Sequence, residues 1–553
     1  MAASERERRT MSESTWIESA SIDEGRTGLA SLELAVPLLW QYFIAFVLLS
    51  AFRLGGLTHQ SLWFDEGYTL HLVSAGSFAE FLRFFGSYTT SEHLQPLYYF
   101  LMFGWSRFAG VSDVAMRLPS ALFSIGSGLC LFAMLRLITD RATRTNALVG
   151  VVLFSISSYS VYYAQEARPY ACVQFCSFLF LFAWLTQARQ QYQTGKASAA
   201  AKAFLAVASV LVCLSSVFGA LLLFSLAAAD LYRFRRDMKA WWSCWSVSGL
   251  ASALAVGLYA IFAVRSFPSV VARDIVGLKQ PLWMNAAYAL FGTIFGTTLG
   301  PSTTDLHGPH KLALLLHALP VLAAAGLVIA AMAWALLQMS ASCHLPFYAK
   351  VSGATAAVYA ALLFGCFGLV GKLNILPRHA SALFAVCVLT LSACVLTRSI
   401  SSTRTARIVL VLALGGAFVL NAISISRSIY AASCRKDDYR AVAAALSQNK
   451  VPIYLTSGQV TLLQHYGLTV HSAVDVPPEQ MAGYLQQASN ASKHILVVTN
   501  TFRNYRWDNA KPVDAMLQPA YACVSQSDYA FFRVLSCSLR ADETLHRKGI
   551  TNE

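Results

Sequence analysis

Residues Ala203 to Phe234 read AFLAVASVLVCLSSVFGALLLFSLAAADLYRF, a run of 32 almost wholly apolar residues. As one helix at 1.5 Å per residue it would span about 48 Å, against a hydrocarbon core of about 30 Å. Its flanks decide the reading. Arg189, Lys196 and Lys202 precede it, and Arg233, Arg235, Arg236 and Lys239 follow it. Basic residues collect on the cytoplasmic side of short loops, so both ends lie on one face and the stretch crosses twice, turning near Ser215-Ser216.

Nine other segments are long and apolar enough to cross once: Val36 to Leu54, Ala115 to Leu137, Ala147 to Tyr163, Pro169 to Gln187, Trp242 to Val264, Leu312 to Leu337, Val351 to Val370, Ala380 to Thr397 and Ile408 to Ile425. The expectation is an α-helical polytopic membrane protein with about eleven transmembrane helices. Composition agrees, with 56% hydrophobic and 13% charged residues among 553. A net charge of +14 would suggest nucleic acid in a soluble chain, but much of it lies in short inter-helix connections and reads as topology. No nucleic-acid partner is expected, and membrane lipids are. Arg136, Arg141, Arg144, Lys350, Arg398, Arg404 and Arg407 fit the same orientation. Residues 1–35 then read as a disordered cytoplasmic tail, 36–425 as the transmembrane domain and 426–553 as an extracytoplasmic α/β domain. The first outer loop is 55–114, and Pro96 to Phe108, short for a span and rich in Tyr and Trp, reads as a helix in the interface.

In the C-terminal domain, strands are expected at Pro452 to Leu455, His494 to Thr499 and Ala530 to Leu535. Helices are expected from Lys436 through Leu446 and over Val460 to Tyr466. Cys434, Cys523 and Cys537 lie there on the oxidising side, so one disulfide is expected, its pairing left open.

Two polar clusters interrupt this apolar chain. The first is Trp63-Phe64-Asp65-Glu66-Gly67-Tyr68, and the second is Tyr162-Tyr163-Ala164-Gln165-Glu166-Ala167-Arg168-Pro169-Tyr170. Charges at membrane depth are costly unless they line a functional cavity. A carboxylate at the mouth of such a cavity can act as a general base, and Asp65 is the candidate. A leaving phosphate needs cations and donors, for which Arg168 and Arg378 are candidates, with His379 and His93 beside them. Arg168 precedes Pro169, a favourable first helical residue, and so stands near a helix N-terminus. An ion pair with Glu166 is the alternative for Arg168, and an anchoring role at the interface is the alternative for Arg378. No Walker loop, no GxGxxG and no Asp-x-Asp pair is present, so a nucleotide-dependent mechanism is not supported.

In chain order, Leu62 to Thr69, His93-Leu94-Gln95-Pro96-Leu97-Tyr98-Tyr99, Arg117-Leu118-Pro119-Ser120-Ala121-Leu122-Phe123, Tyr162 to Tyr170, Pro377-Arg378-His379 and Lys436-Asp437-Asp438-Tyr439-Arg440 resemble the bacterial GT-C glycosyltransferases of family 39. That group is related to protein O-mannosyltransferases, the lipid A aminoarabinose transferase and lipopolysaccharide galacturonosyl transferases. The resemblance implies an inverting glycosyltransferase of the inner membrane. It would take a sugar from a polyprenyl-phosphate donor to an extracytoplasmic glycan, lipid or protein acceptor at a periplasm-facing site. Asp65 would be the base, Glu166 and Arg168 would line the donor site, and Glu66, Tyr163 and Tyr170 would line the cavity. No cofactor is called for; a divalent cation is left open. The chain departs from the pattern at His93-Leu94-Gln95, where the family shows His-Pro-Pro, and at Ser215 to Gly219, which lacks the usual Thr-His-Tyr-Phe. The rival reading is a polytopic transporter or lipid flippase, which would carry broken helices and internal repeats.

Overall fold

The computed structural model describes residues 38–87, 91–139, 147–277, 282–301, 311–341, 347–370, 375–396, 404–431, 434–447, 451–456, 460–469, 473–476, 494–500, 521–529 and 532–539. The tail expected over 1–35, and the basic residues Arg141, Arg144 and Arg398, lie outside them.

Every expected span falls on a helix. The helices are α1 (Leu38–Leu54), α5 (Asp113–Ile138), α6 (Ala147–Ser155) followed by α7 (Ser158–Ala164), α8 (Tyr170–Thr194), α9 (Ala199–Ser215), α10 (Val217–Leu231), α11 (Met238–Gly277), α14 (Leu319–Ala341), α15 (Phe347–Ala360) continuing as a π-helical segment (Ala361–Val370), α16 (Ser381–Leu396) and α17 (Arg404–Tyr430). Seven are long and apolar enough to cross a membrane, and the bent pair α6–α7 makes an eighth. The helices α1, α9 and α10 are apolar but shorter, at 17, 17 and 15 residues. Outward-facing residues such as Leu258 and Leu327 stay 79% and 72% exposed, as a lipid-facing surface requires.

The stretch expected to cross twice forms two apolar helices, α9 and α10, joined at Ser216. Ser216 ends α9 in extended backbone and caps α10, its Oγ accepting from Phe218 N at 3.2 Å. Gly219 makes the tight return possible, because a Cβ there would sit 1.9 Å from the Val212 carbonyl oxygen. At the other end of α10, fully buried Asp230 accepts from Trp245 Nε1 at 2.9 Å and pairs with Arg233.

Between α1 and α5 lie α2 (Phe64–Val73), α3 (Phe78–Ser87), a 3-10 turn (Ser91–Leu94) and α4 (Pro96–Ala109). At 14 residues α4 is about 21 Å long, shorter than a hydrocarbon core of about 30 Å. Between the expected spans Trp242 to Val264 and Leu312 to Leu337, the described residues 265–277 and 282–301 are largely helical. They continue α11 to Gly277 and hold α12 (Leu282–Phe295), and α13 (Lys311–His317) follows them.

The third expected span, Ala147 to Tyr163, is not one straight helix but bends by 61° between α6 and α7. Arg53, fully buried at the end of α1, occupies the break. Its Nη1 and Nη2 donate to the Ser155 and Phe154 carbonyls, both at 3.1 Å. The remaining N–H groups reach Leu49 O, Ser124 Oγ at 2.7 Å and Ser160 Oγ. The cation thus satisfies the carbonyls that the bend frees, and its five donors are all used. A break filled in this way has no donor left over for a passing ion.

The C-terminal segment carries α18 (Tyr439–Leu446), β1 (Ile453–Thr456), α19 (Val460–His465), β2 (Ala473–Val476), β3 (His494–Asn500), β4 (Tyr521–Tyr529) and β5 (Phe532–Leu539). They form one five-stranded sheet in the order β2-β1-β3-β5-β4, parallel across β2-β1-β3 and antiparallel across β3-β5-β4. β2 and β4 were not expected, and the last strand begins two residues later than Ala530. Cys523 and Cys537 face each other across β4 and β5 and form the disulfide, which does not include Cys434.

Candidate functional site

The site grows from the start of α2, where two adjacent acids turn apart. Consecutive helical residues point about 100° from each other, and here Asp65 and Glu66 take different environments. Glu66 is fully buried, and its carboxylate accepts from Arg117 Nε at 2.8 Å, Arg117 Nη2 at 2.6 Å, Ala167 N at 2.7 Å and Trp63 N at 3.1 Å. Burial by itself would raise its pKa, but the charge and hydrogen bonds of Arg117 outweigh that and hold it below the usual carboxylate range. Arg117 gives its other donors to the carbonyls of Leu57, Gln60 and Ser61 at 2.7 to 2.9 Å. Glu66, expected to line the cavity, ties the 55–114 loop to α5 and to the second polar cluster.

Asp65 faces the other way, with a side chain 25% exposed and its Oδ2 3.9 Å from Arg378 Nη1. Arg378 sits on a 3-10 turn (Pro377–Ala380) that α7 holds, since Tyr159 Oη donates to the Pro377 carbonyl at 2.9 Å. On the same turn His379 faces inward: its Nδ1 accepts from Leu376 N at 3.1 Å and its ring packs on Phe218.

The second cluster is tied to the first by Thr69, whose Oγ1 donates to the Ala167 carbonyl at 2.8 Å. Its charged residues do not pair with each other. Arg168 Nη1 donates to Glu92 Oε1, Tyr99 Oη and the Asp65 carbonyl, each at 3.1 Å. Arg168 and Glu92 form a buried ion pair, with side chains 6% and 2% exposed. The alternative partner, Glu166, is 1% exposed and accepts instead from Lys436 Nζ at 2.7 Å. Tyr163 and Tyr170 stack edge-to-face at 4.8 Å and are nearly buried, Tyr170 lying under the Arg168 guanidinium. His93 is buried too, its Nε2 bonded to the Phe85 carbonyl and its ring against Phe85.

Three participants had not been singled out for a role: Arg117, Glu92 and Lys436. Arg117 and Lys436 lay inside quoted motifs, and the scarcity of charge in the chain was the signal available for Glu92. The segment carrying Lys436 lies directly along the first loop. Lys436 N donates to Gln60 Oε1, Ser61 Oγ to the Asp437 carbonyl and Leu62 N to Tyr466 Oη. Arg440, His465 and Tyr466 converge on Asp113 at the head of α5. Among the described residues no three His, Cys, Asp or Glu side chains converge to hold a metal ion.

No family model matches this sequence, and no curated protein does. Solved structures do. ArnT from Cupriavidus metallidurans bound to undecaprenyl phosphate matches with a TM-score of 0.52 at 13% identity, over 90% of this chain and 97% of ArnT. The same ArnT in the apo state gives 0.52 at 12% identity, with the same coverage. The chain shares the fold of ArnT. The archaeal oligosaccharyltransferase AglB from Archaeoglobus fulgidus, in complex with an inhibitory peptide and a dolichol-phosphate, scores 0.49 at 13% identity over 90% of this chain and 74% of AglB, too low to add weight.

Proposed function

We propose that this protein is an inverting glycosyltransferase of a bacterial inner membrane, moving a sugar from a polyprenyl-phosphate donor to an extracytoplasmic glycan, lipid or protein acceptor. The observation that carries the reading is the half-open Asp65–Arg378 pair, set among charges that are otherwise buried and paired, on a fold shared with an undecaprenyl-phosphate-bound ArnT. The acceptor hydroxyl or amine attacks the anomeric carbon as Asp65 takes its proton, and the bond from that carbon to the phosphate oxygen breaks. A single displacement of this kind inverts the centre and releases the lipid phosphate. Arg378, whose guanidinium fork suits two phosphate oxygens, stabilises the charge that develops. Arg168 acts differently from the sequence expectation: it binds the Asp65 carbonyl and so positions the base. The Cys523–Cys537 disulfide supports a periplasmic C-terminal domain, because such bonds persist in oxidising compartments.

Purified protein given a radiolabelled polyprenyl-phosphate sugar and candidate acceptors tests this directly. Asp65→Asn should lose about 10²- to 10⁴-fold in turnover while still binding the lipid. Retention of more than about a tenth of wild-type turnover would remove Asp65 from the base role.

A further inference from the structure

The buried cations differ in how much of their hydrogen-bonding capacity the protein uses. Arg53 and Arg117 each spend all five donors on protein acceptors. Lys436 does not. An ammonium has three donors, and among the described residues Lys436 Nζ meets one acceptor, Glu166 Oε1 at 2.7 Å. Its other neighbours are aromatic faces, with Nζ 5.3 Å from the Trp63 ring centroid and 4.8 Å from that of Tyr162. Aromatic faces favour a cation without using up its N–H groups. Trp63 lies two residues before Asp65, and Tyr162 four residues before Glu166. A cation with donors in reserve thus stands against Trp63, two residues from the proposed base in sequence, 13% exposed, on a segment fixed to the first loop.

We infer that Lys436 is a ligand for the phosphate of the lipid donor, brought to the site by the chain that follows the last membrane helix. The inference rests on the donor proposed above. Glu166 is then the counter-ion that holds Lys436 ready and competes with phosphate for it. Two opposite effects follow. Glu166→Gln removes the competitor and leaves the cation, whereas the double variant K436Q/E166Q removes the cation without stranding a buried charge.

The test is equilibrium binding of undecaprenyl phosphate, with undecaprenol as control, to the purified full-length protein, alongside thermal unfolding. Lys436 as phosphate ligand requires E166Q to bind undecaprenyl phosphate at least as tightly as wild type. It also requires K436Q/E166Q to bind about ten- to a hundredfold more weakly, the range expected for a lost charge-assisted bond. K436R, which keeps the charge, should stay within about threefold of wild type, well under the tenfold that 1.4 kcal/mol gives. A merely structural latch would make E166Q and K436Q/E166Q lose binding alike, which overturns the assignment, as does wild-type affinity in the double variant. Should the double variant not fold, weakened binding by E166Q alone overturns it. If wild type binds undecaprenyl phosphate no better than undecaprenol, the donor reading falls and the Lys436 assignment with it.

Discussion

Replacing Arg168 separates two roles that the sequence left together. Arg168 Nη1 serves Glu92, Tyr99 and the Asp65 carbonyl at 3.1 Å each, inside a nearly closed environment. Arg168→Gln leaves the Glu92 carboxylate buried without its counter-ion, an arrangement that typically costs about 3–5 kcal/mol. Glu92→Gln alone strands the arginine in the same way. The double variant R168Q/E92Q holds no uncompensated charge, so it should recover about 2 kcal/mol or more relative to the sum of the singles. Catalytically, releasing the Asp65 carbonyl misplaces the base, and kcat should fall about 10²-fold with donor KM nearly unchanged. The assay pairs heat-inactivation half-lives in detergent, suited to a protein that unfolds irreversibly, with steady-state kinetics for the lipid donor. Wild-type heat resistance in Arg168→Gln together with a tenfold or larger rise in donor KM would refute the positioning role and return Arg168 to the phosphate.

Two further outcomes are expected. Because Glu66 is held below the ordinary carboxylate range, its contribution to stability is present above that range and is lost as pH falls through its lowered value. Glu66→Gln should therefore be the less stable protein at neutral pH, with the gap closing on acidification; a gap that is constant with pH would contradict the charge argument. For topology, a single cysteine at Gln193 should resist an impermeant thiol reagent in intact spheroplasts, and one at Val524, 71% exposed on β4, should react; the reverse pattern would invert the orientation.

Charge asymmetry made the helical fold readable. The flanks of Ala203 to Phe234 demanded a hairpin, and the chain breaks at Ser216, within the expected Ser215-Ser216 turn. The sheet was less readable for local reasons. β2 is only Ala473–Val476, and β4 alternates small and polar residues, Tyr-Ala-Cys-Val-Ser-Gln-Ser-Asp-Tyr, that look like a loop until β5 covers them. The bend in the third span was hidden because its cause, Arg53, lies about a hundred residues earlier in sequence. At the candidate site the residue types were legible and their partners were not. Arg168 pairs with Glu92, 76 residues away, and Glu166 with Lys436, 270 residues away. Nearness in sequence suggested instead that Glu166 and Arg168 answer each other. The separation of Asp65 from Glu66 depends on which face of a ten-residue helix turns inward, and its composition alone does not set that.

Arg53 also sets an order on biosynthesis. Four of its five hydrogen bonds go to groups that lie 71 to 107 residues further along the chain. When the first helix emerges from the ribosome those groups do not yet exist, and a guanidinium buried in lipid without them is costly. Its position one residue before the end of α1 offers a temporary refuge, since a long cationic side chain there can reach the headgroups. The newborn first helix must therefore wait at a shallow depth or tilt until α6 and α7 are made, and it settles only as the bent pair closes around the arginine. Truncated chains ending before Ser155 should accordingly leave α1 loosely seated, and α1, the first of the described helices, would be among the last to take its final place.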